Sequence, residues 1–336
     1  MADVARTGVL LVNTGSPSAP EPAAVKAYLA EFLMDPNVRP MPAAPWWLIL
    51  HAAILPRRQH TSAAKYREIW GAEGSPLIAG ARHLASRTEA ALRRRAAADG
   101  TGAAPLVRAA MSYGEPNVRT VLAELRGAGC ERLVVVPLYP QSARSTTGAV
   151  MLRVNAALDA LGWAPELREV ASYADEPAYL DAIAGKIAAA GADPARDRVM
   201  FSFHSVPQPD VDAGDTYPEQ AASTAAAVAG RLGLPDGSWT VSFQSPFEDS
   251  RTWHDPFTVN LIEGVARAAE GDLYLVCPGF SIDCLETLYD IEHEFRPLAE
   301  GAFADDGHAH GFRYVPCLNA DDAAVALMAE VVARAL

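Results

Sequence analysis

Gly8-Val-Leu-Leu-Val-Asn13, followed at once by Thr14-Gly15-Ser16, is the stretch that decides the fold. Four consecutive branched apolar residues give no polar alternation, so the strand they form has both faces covered. That is the signature of a parallel sheet between helices. The same kind of run returns at Leu106–Ser112, Arg132–Leu138, Val199–Phe203, Trp239–Phe243 and Asp272–Cys277. Alanine-rich stretches with helical spacing lie between several of them: Leu77–Arg95, Asn117–Ala128 and Glu219–Leu232, with Asp321–Leu336 at the end. Strand and helix in alternation predict α/β architecture. The pattern runs once before about residue 160 and again after it, past Gly162–Pro165. Two similar domains facing a cleft are expected, at 1–160 and 161–319, with the helix 320–336 packing back on the first.

Composition narrows the function classes. The 336 residues are 50% hydrophobic and 21% charged, which is globular and ample for a core. A net charge of −13 repels nucleic-acid backbones, so no nucleic-acid partner is expected. Cys130, Cys277, Cys284 and Cys317 have no C-x-x-C spacing, which excludes a zinc knuckle and fits a reducing cytosol. Met1–Thr7, with Asp3 and Arg6, lacks the features of a signal peptide. The longest apolar run, Ala43–Leu55, has 13 residues against the roughly 20 of a membrane span. It reads as a core helix, or, through Trp46 to Leu55 and the following Arg57 and Arg58, as a peripheral membrane contact.

In open α/β sheets ligands collect beyond the carboxyl ends of the strands. The residues there are small and polar: Asn13-Thr14-Gly15-Ser16, Ser112-Tyr113-Gly114, Tyr139-Pro140-Gln141, Ser145-Thr146-Thr147-Gly148, Ser202-Phe203-His204-Ser205, Gln244-Ser245 and Pro278-Gly279-Phe280-Ser281. No G-x-G-x-x-G, P-loop or G-x-S-x-G occurs, so nucleotide and serine-hydrolase readings lose their support. Two features carry chemistry. His204 ends an apolar strand, where a neutral imidazole accepts a proton or binds a metal, or simply caps the sheet edge. Glu286, Asp290 and Glu294 recur at i, i+4 and i+8, a helical stripe that is either a solvated face or a path for protons or hard cations. Leu285, Leu288 and Ile291 are expected on the opposite, core-facing side.

These residues resemble the ferrochelatase family. Ser202-Phe-His204-Ser-Val-Pro207 with Gly214-Asp215-Thr-Tyr217 is similar to its S-F-H-G-[IL]-P…G-D-P-Y signature, and Pro278-Gly-Phe-Ser-Ile-Asp283-Cys-Leu-Glu286-Thr-Leu288 to its P-G-F-S-x-D-C-L-E-T-L segment. Tyr66-Arg-Glu-Ile-Trp70, Pro137-Leu-Tyr-Pro-Gln141 and Phe312-Arg-Tyr-Val-Pro-Cys-Leu-Asn319 follow in the family's order. The resemblance implies two Rossmann-like domains with parallel four-stranded sheets flanked by helices, holding a porphyrin between them. It implies insertion of Fe2+ as a substrate, protoporphyrin IX foremost, with no tightly bound cofactor and no iron–sulfur cluster. His204 and Glu286 would act on opposite faces of the macrocycle. Metal ligands would be His204, Glu286, Asp290 and Glu294; substrate contacts would come from Asn13, Thr14, Tyr66, Ser112, Tyr113, Arg144, Ser145, Thr146, Thr147 and Asp283. The run Trp46–Leu55 would be the lip at the cleft mouth of a cytoplasmic enzyme in contact with a membrane surface.

Departures from the family pattern cluster around the substrate. Relatives typically read M-R-Y-G-N-P where this chain has Met111-Ser112-Tyr113-Gly114-Glu115-Pro116, so a propionate-binding arginine becomes Ser112. P-Q-Y-S-A-S-T-T-G becomes Pro140-Gln-Ser142-Ala-Arg144-Ser-Thr-Thr-Gly148, which gains Arg144. Q-S-R-F-G becomes Gln244-Ser-Pro246-Phe-Glu248, with an extra residue before Trp253, and Ser205 replaces a glycine. Either Arg144 supplies the missing guanidinium, or the ligand is another tetrapyrrole or flat metal-binding molecule, or the chain is a noncatalytic haem or metal binder.

Overall fold

The computed structural model describes residues 6–100, 104–307 and 310–336; the N-terminal reading that involves Asp3 lies outside them. Among the described residues eight strands form two sheets. β1 (Thr7–Gly15), β2 (Leu106–Tyr113), β3 (Arg132–Pro137) and β4 (Glu166–Glu169) make one, in the order β2-β1-β3-β4. β5 (Arg198–His204), β6 (Trp239–Gln244), β7 (Leu273–Val276) and β8 (Phe312–Val315) make the other, in the order β6-β5-β7-β8. Every pairing is parallel, with Gly8 opposite Leu106 and Leu133 in the first sheet and Val199 opposite Trp239 and Tyr274 in the second. This is the α/β architecture of parallel sheets between helices that the apolar runs predict, with the four strands per sheet that the family resemblance implies.

The chain divides into two compact units. One takes in the chain to Tyr139, Arg144–Tyr173 and Asn319–Leu336; the other takes in Pro140–Ala143 and Ala174–Leu318. In the first, Val9, Leu10, Leu11 and Val12 are 0% exposed, because helices cover both faces of β1. Leu10, Val12, Leu133 and Val135 pack with Leu122 and Val154 from the helices Val118–Gly127 and Ala149–Leu161. Asn117 caps the former, its side-chain oxygen accepting the Thr120 N–H at 2.8 Å. The helix Asp322–Ala335, capped in the same way by Asp321, packs on the helix Pro76–Asp99, and Asp322 pairs with Arg87. In the second unit Met200, Leu273 and Leu275 meet Ile262, Ile291, Phe295 and Phe303.

Two strands escape the sequence reading. β4 and β8 lie at sheet edges and are four residues long, and β4 (Glu-Leu-Arg-Glu) carries no apolar run. The run Ala43–Leu55 is also more divided than its letters imply. It forms a helix Ala43–Ile49, a wider π-type turn Leu50–Ile54 and the start of the helix Leu55–Ile69. Trp46 is buried and donates its indole N–H to Leu33 O at 2.6 Å, and Leu50 and Leu55 are fully covered. Trp47, Leu48 and Ile49 are 53%, 62% and 41% exposed. Among the described residues no helix is long and apolar enough to cross a membrane.

A polar knot closes the carboxyl side of the second unit. Asp283, 7% exposed, accepts hydrogen bonds at one oxygen from Tyr314 Oη (2.6 Å), Thr287 Oγ1 (3.0 Å) and the Cys317 N–H (3.3 Å). Burial pushes the thiols of Cys277, Cys284 and Cys317 well above their ordinary range, and Asp283, beside the first and third, adds to it.

Two outcomes follow from this packing. At Gly15 φ is +112°, and an added Cβ would lie 1.9 Å from the Tyr113 carbonyl oxygen, so Gly15→Ala should lower unfolding free energy by at least about 3 kcal/mol. Gly100→Ala, at φ +62° with nothing within 4 Å, should cost only about 1 kcal/mol in the same urea titration. The second outcome is alkaline. The folded protein keeps thiol protons that the unfolded chain loses above about pH 8.5, so the unfolded state binds fewer protons there and stability falls as pH rises. The unfolding free energy from urea titration should fall steadily upward from that pH, by about 1.4 kcal/mol per pH unit for each protected thiol, and Cys284→Ala should remove one thiol's share of the slope.

Candidate active site

In the order β6-β5-β7-β8 the chain leaves the first strand, β5, toward one side and returns to build on the other. The crevice of such a sheet opens beyond the ends of the two strands that flank the reversal, here β5 and β7. His204 is the last residue of β5, and Pro278–Glu286 follows β7. Topology therefore brings His204 and the Pro-Gly-Phe-Ser segment to one edge of one sheet.

His204 is half-buried, and its Nδ1 lies 2.6 Å from the Ser205 carbonyl oxygen. A carbonyl only accepts, so Nδ1 carries a hydrogen, and in the neutral ring it is Nε2 that holds the lone pair. Three aromatic rings surround the imidazole: Phe247 at 6.0 Å, Phe280 at 6.3 Å and Trp253 at 6.5 Å between centroids. Behind it the Tyr217 hydroxyl is deeply buried, and that burial drives its ionisation far above the ordinary phenol range. Gly279 leaves room there: a Cβ would sit 3.2 Å from the Tyr217 hydroxyl and 3.3 Å from Phe203.

One buried amide ties this edge together. Gln244, 2% exposed, pairs with His204 across β5 and β6, and its backbone oxygen accepts the Ser205 N–H at 2.8 Å. Its side chain accepts from Ser202 Oγ at 2.5 Å and from Cys277 Sγ at 3.5 Å, and its Nε2 donates to the Glu286 carbonyl at 3.1 Å. Ser202 and Ser242 share the Thr258 hydroxyl at 2.7 and 2.9 Å. Both polar atoms of the Gln244 side chain thus have partners, the condition under which a buried polar group is tolerated.

Glu286 opens the helix Leu285–Asp290, which widens into a π-type turn at Ile291–Phe295. In an uninterrupted α-helix Glu294 would drift by about 80° from Glu286 over eight residues. The wider turn rotates less per residue and draws Glu294 back toward the line of Glu286 and Asp290. The buried face is Thr287, Ile291 and Phe295, whereas Leu285 and Leu288 stay partly exposed, which corrects the expected Leu285-Leu288-Ile291 stripe. Ser245, held at φ +56°, donates to Asp290 Oδ2 at 3.1 Å. Glu294 is exposed. Asp283, a candidate substrate contact, is instead the buried acceptor of Tyr314, Thr287 and Cys317 described above.

The first unit carries the other candidates. Asn13, buried at the end of β1, accepts the Thr14 N–H at 2.7 Å, and the Thr14 hydroxyl makes a very short hydrogen bond with the Tyr139 hydroxyl. Tyr113 is 2% exposed beneath Arg153, whose guanidinium lies 4.2 Å from the ring centroid and pairs with Glu31 (2.9 Å) and the buried Asp35 (3.3 Å). Burial, with Asp35 beside it, pushes the Tyr113 phenol far up. The hydroxyls of Ser112 and Thr147 are buried without a hydrogen-bond partner in the protein. Arg144 through Gly148 forms a single π-type turn, with Arg144 exposed and its Nε 3.4 Å from Asn37 Oδ1, and Ser145 and Thr146 half-exposed. Tyr66 is buried, edge-on to Trp70. The structure thus gathers His204, Glu286 and Asp290 around Gln244 and Ser245, and places Asn13, Thr14 and Tyr113 in the other unit. Sequence reasoning missed the role of Gln244 and the aromatic surround. The polar letters Ser202, Ser242 and Gln244 at the ends of otherwise apolar strands were the available signal. Among the described residues no group of three or more His, Cys, Asp or Glu side chains is arranged to hold a metal ion.

The comparisons with known proteins agree along the whole chain. The family model described as Ferrochelatase matches residues 6–336. A ferrochelatase of Nitrosococcus oceani is 39% identical over 330 residues, spanning 98% of this chain and 86% of that one. One of Edwardsiella ictaluri is 42% identical over 327 residues, 97% of each chain. Among solved structures, SirB from Bacillus subtilis with Fe3+ has a TM-score of 0.54 at 10% identity, covering 98% of this chain and 95% of that one. CbiX, the terminal enzyme for biosynthesis of siroheme in denitrifying bacteria, has a TM-score of 0.50 at 15% identity, covering 98% and 99%. At those identities the solved structures speak for the fold alone. With two curated ferrochelatases near 40% identity and a family match over almost every residue, the chain belongs to the ferrochelatase family of metal chelatases.

Proposed function

We propose that the protein inserts ferrous iron into protoporphyrin IX, with His204 and Glu286 working on opposite faces of the macrocycle. Membership of the family supplies the reaction class, in which Fe2+ enters the ring and two pyrrole protons leave. The observation that carries the residue assignment is the hydrogen bond from His204 Nδ1 to the Ser205 carbonyl. It keeps Nε2 as a base of fixed identity at the end of β5, ready to take a pyrrole proton. Glu286, with its main chain anchored by Gln244, accepts the second proton from the other face or helps bend the ring toward the metal. Asp290 and Glu294 continue as a carboxylate line for protons or hydrated iron. Imidazole and carboxylate ligands release Fe2+ more readily than a thiolate cage, which suits delivery.

Substrate carboxylates would be met from the first unit by Arg144, in place of the arginine that Ser112 replaces, together with the hydroxyls of Thr14, Ser145, Thr146 and Thr147, with Asn13, Tyr66 and Tyr113 shaping the pocket. The protein would work without an iron–sulfur cluster, since the sequence spaces Cys130, Cys277, Cys284 and Cys317 with no grouping that marks a cluster site. The exposed Trp47, Leu48 and Ile49, close in sequence to the exposed Arg57 and Arg58, support peripheral contact of a cytoplasmic enzyme with an anionic membrane surface.

Anaerobic insertion of Fe2+, with Zn2+ as a stand-in, into protoporphyrin IX and coproporphyrin III tests the reading by absorbance. Multiple turnovers that fall by about 10²-fold or more in His204→Ala are expected, the scale of a lost general base. A single stoichiometric Soret shift without turnover would mark a carrier, and faster coproporphyrin turnover would reassign the substrate. Arg144→Ala should raise the Kd for the carboxylated porphyrin by about tenfold, the worth of one charged hydrogen bond, and leave binding of a porphyrin without carboxylates unchanged. Equal binding of both would remove Arg144 from the site.

A further inference from the structure

The loop Ser245–Trp253 is where the chain departs from Q-S-R-F-G, and its geometry is organised around one carboxylate. Asp249 accepts four hydrogen bonds: from the Arg251 N–H (2.9 Å), Nε (2.9 Å) and Nη2 (2.6 Å), and from Trp253 Nε1 (3.1 Å). The two charged side chains are only 11% and 16% exposed, and the Arg251 guanidinium lies 5.0 Å from the Trp253 ring centroid. Burial works against the ionised carboxyl, yet the Arg251 and Trp253 hydrogen bonds outweigh it and hold Asp249 below the usual aspartate range.

Beyond Trp253 the loop is stitched to the segment after His204. Ser205, the serine in place of glycine, donates its hydroxyl to the His254 carbonyl at 2.7 Å. The His254 N–H bonds Val206 O at 2.9 Å, and the Gln208 N–H bonds Thr252 O at 2.9 Å. The backbone of Trp253 is therefore fixed from one side, while the orientation of its indole is set from the other by Asp249. That indole stands 6.5 Å from His204 and 5.0 Å from Phe247, which itself stands 6.0 Å from His204.

We propose that Asp249 is a positioning residue of the metal-insertion site, holding the indole of Trp253 so that the aromatic surround of His204 stays closed. The proposal rests on the reading of His204 as the base. Released from Asp249, the indole N–H would be a nearly buried donor without an acceptor, and the ring would turn toward whatever could satisfy it. Held in place, it keeps water from one side of the imidazole and spends the charge of Arg251 on Asp249 instead of on a substrate carboxylate.

The test is a double-mutant cycle on the full chain, with Asp249→Asn, Trp253→Phe and the pair, read by steady-state Zn2+ insertion and by ¹H–¹⁵N spectra of the indole and imidazole groups. Each single variant should lower kcat by about fivefold and leave the porphyrin KM within about twofold, and the double variant should fall no further, because both act through one contact. The Trp253 indole and His204 imidazole resonances should both move in Asp249→Asn and return toward their original positions in Asp249→Glu. Multiplying losses in the double variant, or an unmoved His204 signal, overturn the proposal. If the wild-type protein turns over neither porphyrin, it is the reading of the site that fails, and the positioning claim is decided by the two resonances alone.

Discussion

Parallel pairing is the constraint from which the rest follows. When every strand of a sheet runs the same way, each must be followed by a crossover, and all the carboxyl ends collect along one edge. The middle of each strand is then free to be wholly apolar, as in Val9–Val12 and Val199–Phe201, and polar chemistry is confined to the last residue or two. Both sheets place their first strand inside, between the second and the third. The reversal on either side of that strand opens the edge beyond β1 in one unit and β5 in the other, and Asn13 and His204 are the residues that arrive there.

What the letters reveal is governed by burial. Six strands are legible because each carries a run of largely apolar residues that the fold buries, even where, as in β2 and β6, the strand lies at a sheet edge. β4 and β8 are edge strands, and β4, with Glu166, Arg168 and Glu169, is mostly exposed and written in polar residues. His204 can be found from its place at the end of an apolar run. The helix after β7 is harder, because its π-type turn changes the rotation per residue, and a fixed period misassigns Leu285 and Leu288 to the core. Asp283 shows the limit of a motif: beside Glu286 in sequence, it faces Tyr314, Thr287 and Cys317 instead of an open edge. The contacts of Trp253 and Phe247 with His204 join a loop to a distant strand end, and no local periodicity reports them.

Buried polar groups in the two units include both a connected network and atoms without protein partners. In the second, Ser202, Ser242, Thr258 and Gln244 satisfy one another, and a fully connected network of this kind stiffens the surface it supports. The strand that ends in His204 and the turn that begins with Glu286 thereby share one amide. In the first, the Ser112 hydroxyl at the end of β2 and the Thr147 hydroxyl in the turn Arg144–Gly148 lie buried without protein partners, as does Gln141 Oε1 in the second. Buried polar atoms that nothing meets cost free energy.

The course of the chain has a consequence for its birth on the ribosome. The second unit is nearly one continuous stretch, Ala174–Leu318, whereas the first is completed by Asp322–Ala335 docking on Pro76–Asp99, with Arg87 and Asp322 joined across 235 positions. Translation adds about 5–20 residues per second. The groove along Pro76–Asp99 that awaits Leu327, Met328 and Val331 therefore stays uncovered for many seconds while the whole of the later unit is made. The half of the protein that is synthesised first is the half that finishes last, and in that interval its apolar helix face stays open to water.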